Sequence, residues 1–137
     1  MRHWLMKSEP SAYSWQQLLE DKRTGWSGVR NYTARNNMQA MVVGDRAFFY
    51  HSNEGMEIVG LMEIVRTAYA DPTDETGKFV QVDVKPLQTA NPTLTLQAIK
   101  ADKILQNMQL VKQSRLSVSA VTAAEYKMIC KLCRFKA

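Results

Sequence analysis

Ala47-Phe48-Phe49-Tyr50-His51-Ser52 carries bulky apolar or aromatic side chains on both faces of one extended segment. Any fold that contains it must therefore cover a central strand on both sides. Val42-Val43-Gly44-Asp45 marks the turn into that strand and Asn53-Glu54-Gly55 the turn out of it. Neighbouring strands are read at His3 to Lys7 and at Ile58 to Val65, where Gly60 marks a bulge or a close backbone approach. Val80, Val82 and Val84 alternate with Gln81, Asp83 and Lys85, the period of a half-exposed strand. Ser114 to Ser119 reads as a further short strand or extended segment.

Helices fall between these runs at irregular intervals. Ser14 and Gln17 have capping-box spacing, and Trp15, Leu18 and Leu19 give a short apolar face ending near Asp21. A second helix opens at Tyr32 or Thr33 and runs through Met41, with Ala34, Met38 and Met41 on one side. A polar stretch through Pro92 leads to a short helix from about Thr95 to Ala101. Thr122 and Glu125 form another capping box, followed by a stripe of Val121, Met128, Ile129 and Leu132. Strands and helices do not alternate as in a doubly wound sheet. The order fits an α+β fold, a mostly antiparallel barrel or sheet with helices around it.

The 137 residues contain no repeat or linker, so one domain is expected. Eighteen Lys and Arg against thirteen Asp and Glu give a net charge of +5. Glu54 to Glu75 holds six acidic residues and only Arg66 as a base, which leaves 17 basic and 7 acidic residues elsewhere. Such sidedness favours a polyanionic partner such as nucleic acid. No stretch approaches the ~18 apolar residues of a membrane span. Lys7 and Ser8 interrupt the N-terminal apolar run, so a cytoplasmic or nucleus-like location and no membrane partner are expected. Cys130-Lys-Leu-Cys133 has redox or zinc spacing but ends a helical pattern, whereas redox thiols sit at helix N-termini. His3 and His51 lack zinc-ligand spacing beside it, so no metal and no cofactor are expected.

Trp26-Ser27-Gly28-Val29-Arg30-Asn31-Tyr32 has neither strand nor helix period. Two rings can sandwich a flat ligand, and an Asn carboxamide can pair bidentately with a base edge. Arg30 can neutralise a phosphate, and Gly28 lets the backbone bend close to a guest. An aromatic beside a loop glycine can equally plug the core. Catalytic motifs are thin. No nucleophile elbow, phosphate loop or zinc-binding His-Glu-x-x-His is present, and His51 and Ser52 point to opposite faces of their strand. A lone histidine at a strand end reads as a hydrogen-bonded structural residue. Lys7-Ser8-Glu9-Pro10 groups a lysine and a carboxylate that could do acid–base work or simply brace the strand end.

Together, Trp4-Leu-Met-Lys-Ser-Glu-Pro10, Tyr13-Ser14, Trp26 to Tyr32, Ala34-Arg-Asn36, Gly44-Asp45, Phe49-Tyr-His-Ser52 and Arg115-Leu-Ser-Val118 resemble the EVE domain family. That family lies within the PUA-like superfamily and is related to YTH readers. The resemblance implies a five- or six-stranded pseudo-barrel with surrounding helices and a pocket for a modified base. The base-binding candidates it implies are Trp26, Asn31, Ser8, Lys7, Tyr50 and Ser52; Arg30, Arg35 and Arg115 are the phosphate candidates. Departures fall at Ala70, where the family's Tyr-Pro-Asp-Pro pattern has proline, at Ser119-Ala120 for Gln-Pro, and at Tyr126 for tryptophan. The implied function is a reader of modified cytosine in DNA or of a modified base in RNA. The alternative is a small nucleobase- or nucleoside-processing hydrolase of the same superfamily using Lys7 and Glu9.

Overall fold

The computed structural model describes residues 1–136. The elements are β1 (His3–Ser8), α1 (Trp15–Asp21), β2 (Thr24–Gly25), α2 (Tyr32–Ala40), β3 (Arg46–His51), β4 (Glu57–Ala70), β5 (Val80–Thr95), α3 (Leu96–Ala101), α4 (Gln109–Lys112), β6 (Val118–Val121) and α5 (Ala123–Cys133). The six strands form one mixed sheet in the order β2-β5-β4-β3-β1-β6. Only β1 and β3 run parallel; every other pair is antiparallel. β2 and β6 stand at opposite edges, and among the described residues no strand pairing joins them.

Both faces of the sheet are covered, as the two-faced strand at 47–52 requires. Ala47 and Phe49 of β3, Trp4 and Met6 of β1, and Val82 and Val84 of β5 face a core shared with Trp15, Leu18, Ala34 and Met38 from α1 and α2. Phe48, Tyr50 and Leu5 face a second core shared with Ile99, Leu110, Tyr126, Ile129 and Cys130 from α3, α4 and α5. Alternating side-chain direction along each strand sends neighbouring residues to different cores.

Gly60 fulfils both readings given to it. The β4–β5 register shifts between Ile58 and Gly60, and a Cβ on Gly60 would lie 2.4 Å from the Trp15 indole. Trp15 fixes α1 to the sheet through its own polar atoms. Its indole N–H donates to Thr89 Oγ1 at 3.0 Å and its backbone N–H to His51 Nε2 at 3.1 Å. His51 is thus the hydrogen-bonded structural residue expected from its position.

Several boundaries differ from the sequence reading. β5 continues through the polar stretch to Thr95, and β4 to Ala70. Gln81 and Asp83 are buried rather than solvent-facing. Gln81 Nε2 donates to Tyr69 Oη at 2.7 Å, and Arg23 pairs with Asp83 at 3.0 Å. Ser14 caps α1 by accepting from Gln17 N–H, but the Gln17 side chain donates to Asp21 instead of closing the box. At α5 both capping-box bonds form between Thr122 and Glu125.

Candidate nucleic-acid interface

The loop from Thr24 to Asn31 leaves the sheet edge and returns as α2, and its folding creates a cavity. β2 pairs Thr24 and Gly25 with Val84 and Asp83. The Trp26 backbone N–H then donates to Val82 O at 2.7 Å, which ties the start of the loop to β5. Gly28 turns the chain at φ +85°, a left-handed conformation favoured by glycine. Its N–H donates to the Asp71 carboxylate at 2.8 Å. Asp71 also accepts from Arg30 Nη1 at 3.1 Å and from Thr73 N and Oγ1 at 2.7 Å each. Burial pushes this carboxyl's pKa upward, but the bonds from Thr73, Gly28 and Arg30 outweigh it and hold it below the usual value. One buried carboxylate thereby locks the loop.

The resulting pocket has a volume of about 550 Å³, within the range of small-ligand sites. Lys7, Ser8, Tyr13, Ser117 and the run from Trp26 to Asn31 line it. Trp26 is 7% exposed and meets the Phe49 ring edge-on at 5.3 Å, while still lining the cavity. Trp26 is therefore both a core residue and part of the cavity lining.

The polar groups around it have definite directions of hydrogen bonding. Asn31 is the N-cap of α2, with Oδ1 accepting from Ala34 N–H at 2.9 Å. Its Nδ2 remains as the donor available to a guest, so a bidentate contact would require Oδ1 to be shared. Ser8 Oγ donates to Tyr13 O at 2.6 Å, which leaves oxygen lone pairs as acceptors. Lys7 Nζ donates to Ser114 O at 2.7 Å, and burial lowers its pKa from the usual lysine value. Its ammonium carries three donors, of which that bond uses one. Tyr13 Oη donates to Asp21 Oδ2 at 2.7 Å; burial first, then that carboxylate, push the phenol up to about 12.

A second hollow of about 320 Å³ lies on the other side of Asn31, lined by Thr33 and by Gln113 to Leu116. Arg115 stands there exposed, and no ion pair engages it among the described residues. Arg30 lines the main pocket, but its guanidinium is held by Asp71 and Thr73. Its charge is partly answered within the protein. Arg35 lies on α2 outside both hollows and donates to Asn36 Oδ1 and Lys78 O.

Two of the base-binding candidates do not reach the pocket. Tyr50 is 3% exposed in the second core, on the sheet face opposite Phe49 and Trp26. Adjacent strand positions cannot both face one cavity. Ser52 follows β3, where its N–H donates to Ser8 O at 3.0 Å, and it does not line the cavity. Glu9, the second member of the hydrolase pair, accepts from Asn53 Nδ2 and makes no ion pair with Lys7 among the described residues.

Tyr13, Ser27 and Ser117 line the pocket without having been singled out from the sequence, and Asp71 organises it from 43 residues beyond Gly28. The Asp71-Pro72 remnant of the Tyr-Pro-Asp-Pro pattern was the available signal. Cys130 and Cys133 are buried near the end of α5; burial raises both thiols, Cys133 to about 12. Among the described residues, no group of three or more His, Cys, Asp or Glu could hold a metal, and no helix is long and apolar enough to cross a membrane.

Comparison with known proteins places this geometry in context. A Rhodopseudomonas palustris protein of known structure is 51% identical, with TM-score 0.93 over 100% of this chain and 96% of that one. Human thymocyte nuclear protein 1 is 35% identical in an alignment covering 95% of this chain and 73% of that protein. Its structure in complex with 5-methylcytosine-containing DNA superposes with TM-score 0.90 at 33% identity, covering 100% of both chains. The EVE domain model matches residues 2–132, and the chain belongs to the EVE domain family.

Proposed function

We propose that this domain reads a modified cytosine in DNA by accepting the extruded base in the 550 Å³ pocket, without altering it chemically. The observation that carries the reading is Trp26, anchored by Phe49 and β5 yet forming a wall of the cavity. A base on that indole would gain about 1–3 kcal/mol of stacking.

The polar groups favour cytosine over thymine. Its pairing edge presents one amino donor followed by two acceptors, N3 and O2. Ser8 Oγ offers an acceptor, while Asn31 Nδ2 and Lys7 Nζ offer donors. Thymine would set a carbonyl where cytosine has its amino donor, against the acceptor Ser8. A 5-methyl or 5-hydroxymethyl group adds contact area in space that plain cytosine leaves empty, and modification would be read there. The human relative, solved with 5-methylcytosine-containing DNA, supports this choice of partner. Arg115 supplies a sequence-blind phosphate contact beside the pocket. The hydrolase alternative lacks an assembled acid–base pair, since Glu9 is engaged by Asn53.

The test is binding to single- and double-stranded oligonucleotides carrying cytosine, 5-methylcytosine or 5-hydroxymethylcytosine, with RNA counterparts, at two salt concentrations. Chromatography of the same mixtures monitors turnover. Tighter binding to one modified DNA, with every nucleoside recovered intact, is expected. Equal affinity for plain and modified strands, or accumulation of a new nucleoside, would overturn the reading.

A further inference from the structure

The pocket leaves an aromatic and cationic cluster beside it without a role. Tyr32 opens α2 directly after Asn31, the residue shared by the two hollows. It is 52% exposed, the largest exposure of any aromatic among the described residues' large hydrophobics. Its ring lies 5.1 Å from that of Phe79 at a 30° tilt. The Arg35 guanidinium carbon is 4.8 Å from the centre of the Tyr32 ring, and that of Arg30 is 5.4 Å from Phe79. Arg30, Phe79, Tyr32 and Arg35 thus form one contiguous ladder of contacts beside the pocket, with half of the Tyr32 surface left open.

Packing does not account for this ladder, because Tyr32 and Phe79 belong to neither core. Nor does charge pairing at its outer end. Arg30 meets Asp71, but among the described residues Arg35 donates only to Asn36 Oδ1 and the Lys78 carbonyl, neither of them anionic. Lys78 is exposed next to it. An exposed ring flanked by unneutralised cations suits a nucleotide, whose base stacks while its phosphate meets the charge.

We propose that Tyr32, with Arg35 and Lys78, is a stacking platform for the nucleotide flanking the extruded base. The strand would pass from the pocket over Asn31 onto the start of α2. This rests on the reader function proposed above. Stacking on a tyrosine does not depend on which base is present, so the platform raises affinity for plain and modified strands alike.

Single-stranded oligonucleotides separate this from a merely structural Tyr32, because removing a base there does not change any cost of unpairing. Fluorescence anisotropy compares strands with cytosine or 5-methylcytosine at the target, each with intact neighbours or with an abasic site on the 5′ or 3′ side. The wild-type protein should lose about tenfold in affinity when one of the two neighbours is abasic. Tyr32→Ala should bind intact strands about tenfold more weakly, ignore that abasic site, and keep the wild-type preference for 5-methylcytosine. Tyr32→Phe should behave as wild type, since it keeps the ring. Wild-type affinity unmoved by either abasic site, or equal abasic sensitivity in Tyr32→Ala, would overturn the platform. Failure of the reader function would show separately, as equal wild-type affinity for the two target bases.

Discussion

The Asp71 carboxylate accepts the Gly28 N–H at 2.8 Å across 43 residues of sequence, and this bond fixes the loop that lines the cavity. Its side chain is fully buried, and the same two oxygens also hold Arg30 and Thr73. The loop therefore owes its form to a residue in the β4–β5 connection, not to its own glycine alone.

Asp71→Ala is expected to lower folding stability by about 2–4 kcal/mol, since several buried donors lose a charged acceptor. DNA affinity should fall as well, because the Gly28 to Arg30 part of the pocket wall loses its brace. Urea denaturation and oligonucleotide binding check both effects. A variant with unchanged stability would show that water replaces the carboxylate without loss.

Two glycines should fail for different reasons. Gly60→Ala drives a Cβ to 2.4 Å from the Trp15 indole and should cost about 1–3 kcal/mol by overpacking. Gly28→Ala meets no atom within 4 Å but must hold φ +85°, costing about 1–2 kcal/mol by backbone strain. Urea midpoints report the size of each. Replacing Trp15 by Leu should relieve the Gly60 variant and leave the Gly28 variant unrelieved.

Mild acid should loosen the α1–β3 junction. Burial lowers the His51 pKa below 6.5 despite the opposing charge of Glu57, and its Nε2 can accept from Trp15 N–H only when unprotonated. The unfolded chain therefore binds the proton more readily than the folded one. This contribution is complete above about pH 6.5 and declines as pH falls from there toward the lowered folded value. His3, also lowered by burial, acts in the same direction. Melting curves from about pH 7.5 to 5.5 should show a falling midpoint, with a smaller fall in His51→Gln. An equal fall in both proteins would assign the effect elsewhere.

Arg115→Ala should weaken plain and modified DNA to the same degree. The slope of log affinity against log salt should become shallower by about 0.9 on duplex and about 0.7 on single strands, the value of one phosphate. A change in the preference for the modified base would place Arg115 inside the reading site instead.

The core strands were legible because apolar residues on both faces of 47–50 leave few alternatives. The outer half of β5 was not. Pro86, Gln88, Asn91 and Pro92 read only as a polar stretch without strand period, yet this stretch lies in β5. It has only β4 as a strand neighbour, because β2 pairs with β5 solely at Asp83 and Val84. A strand with one open side tolerates proline. Gln81 and Asp83 broke the alternation rule through distant polar partners, Tyr69 and Arg23, that no local pattern reveals. At the site, the Trp26 to Asn31 run, distinctive by its composition, lines the cavity. Tyr50 was misplaced because a motif groups neighbours in sequence, while a strand separates them onto opposite faces.

The most direct measurement is the ratio of dissociation constants for otherwise identical DNA carrying cytosine or 5-methylcytosine, in wild type, Trp26→Phe and Trp26→Ala, each verified folded by its melting curve. Wild type should prefer the methylated strand, Trp26→Phe should keep part of that preference, and Trp26→Ala should reduce the ratio to one. A folded Trp26→Ala protein that still distinguishes the two strands as wild type does would contradict the account.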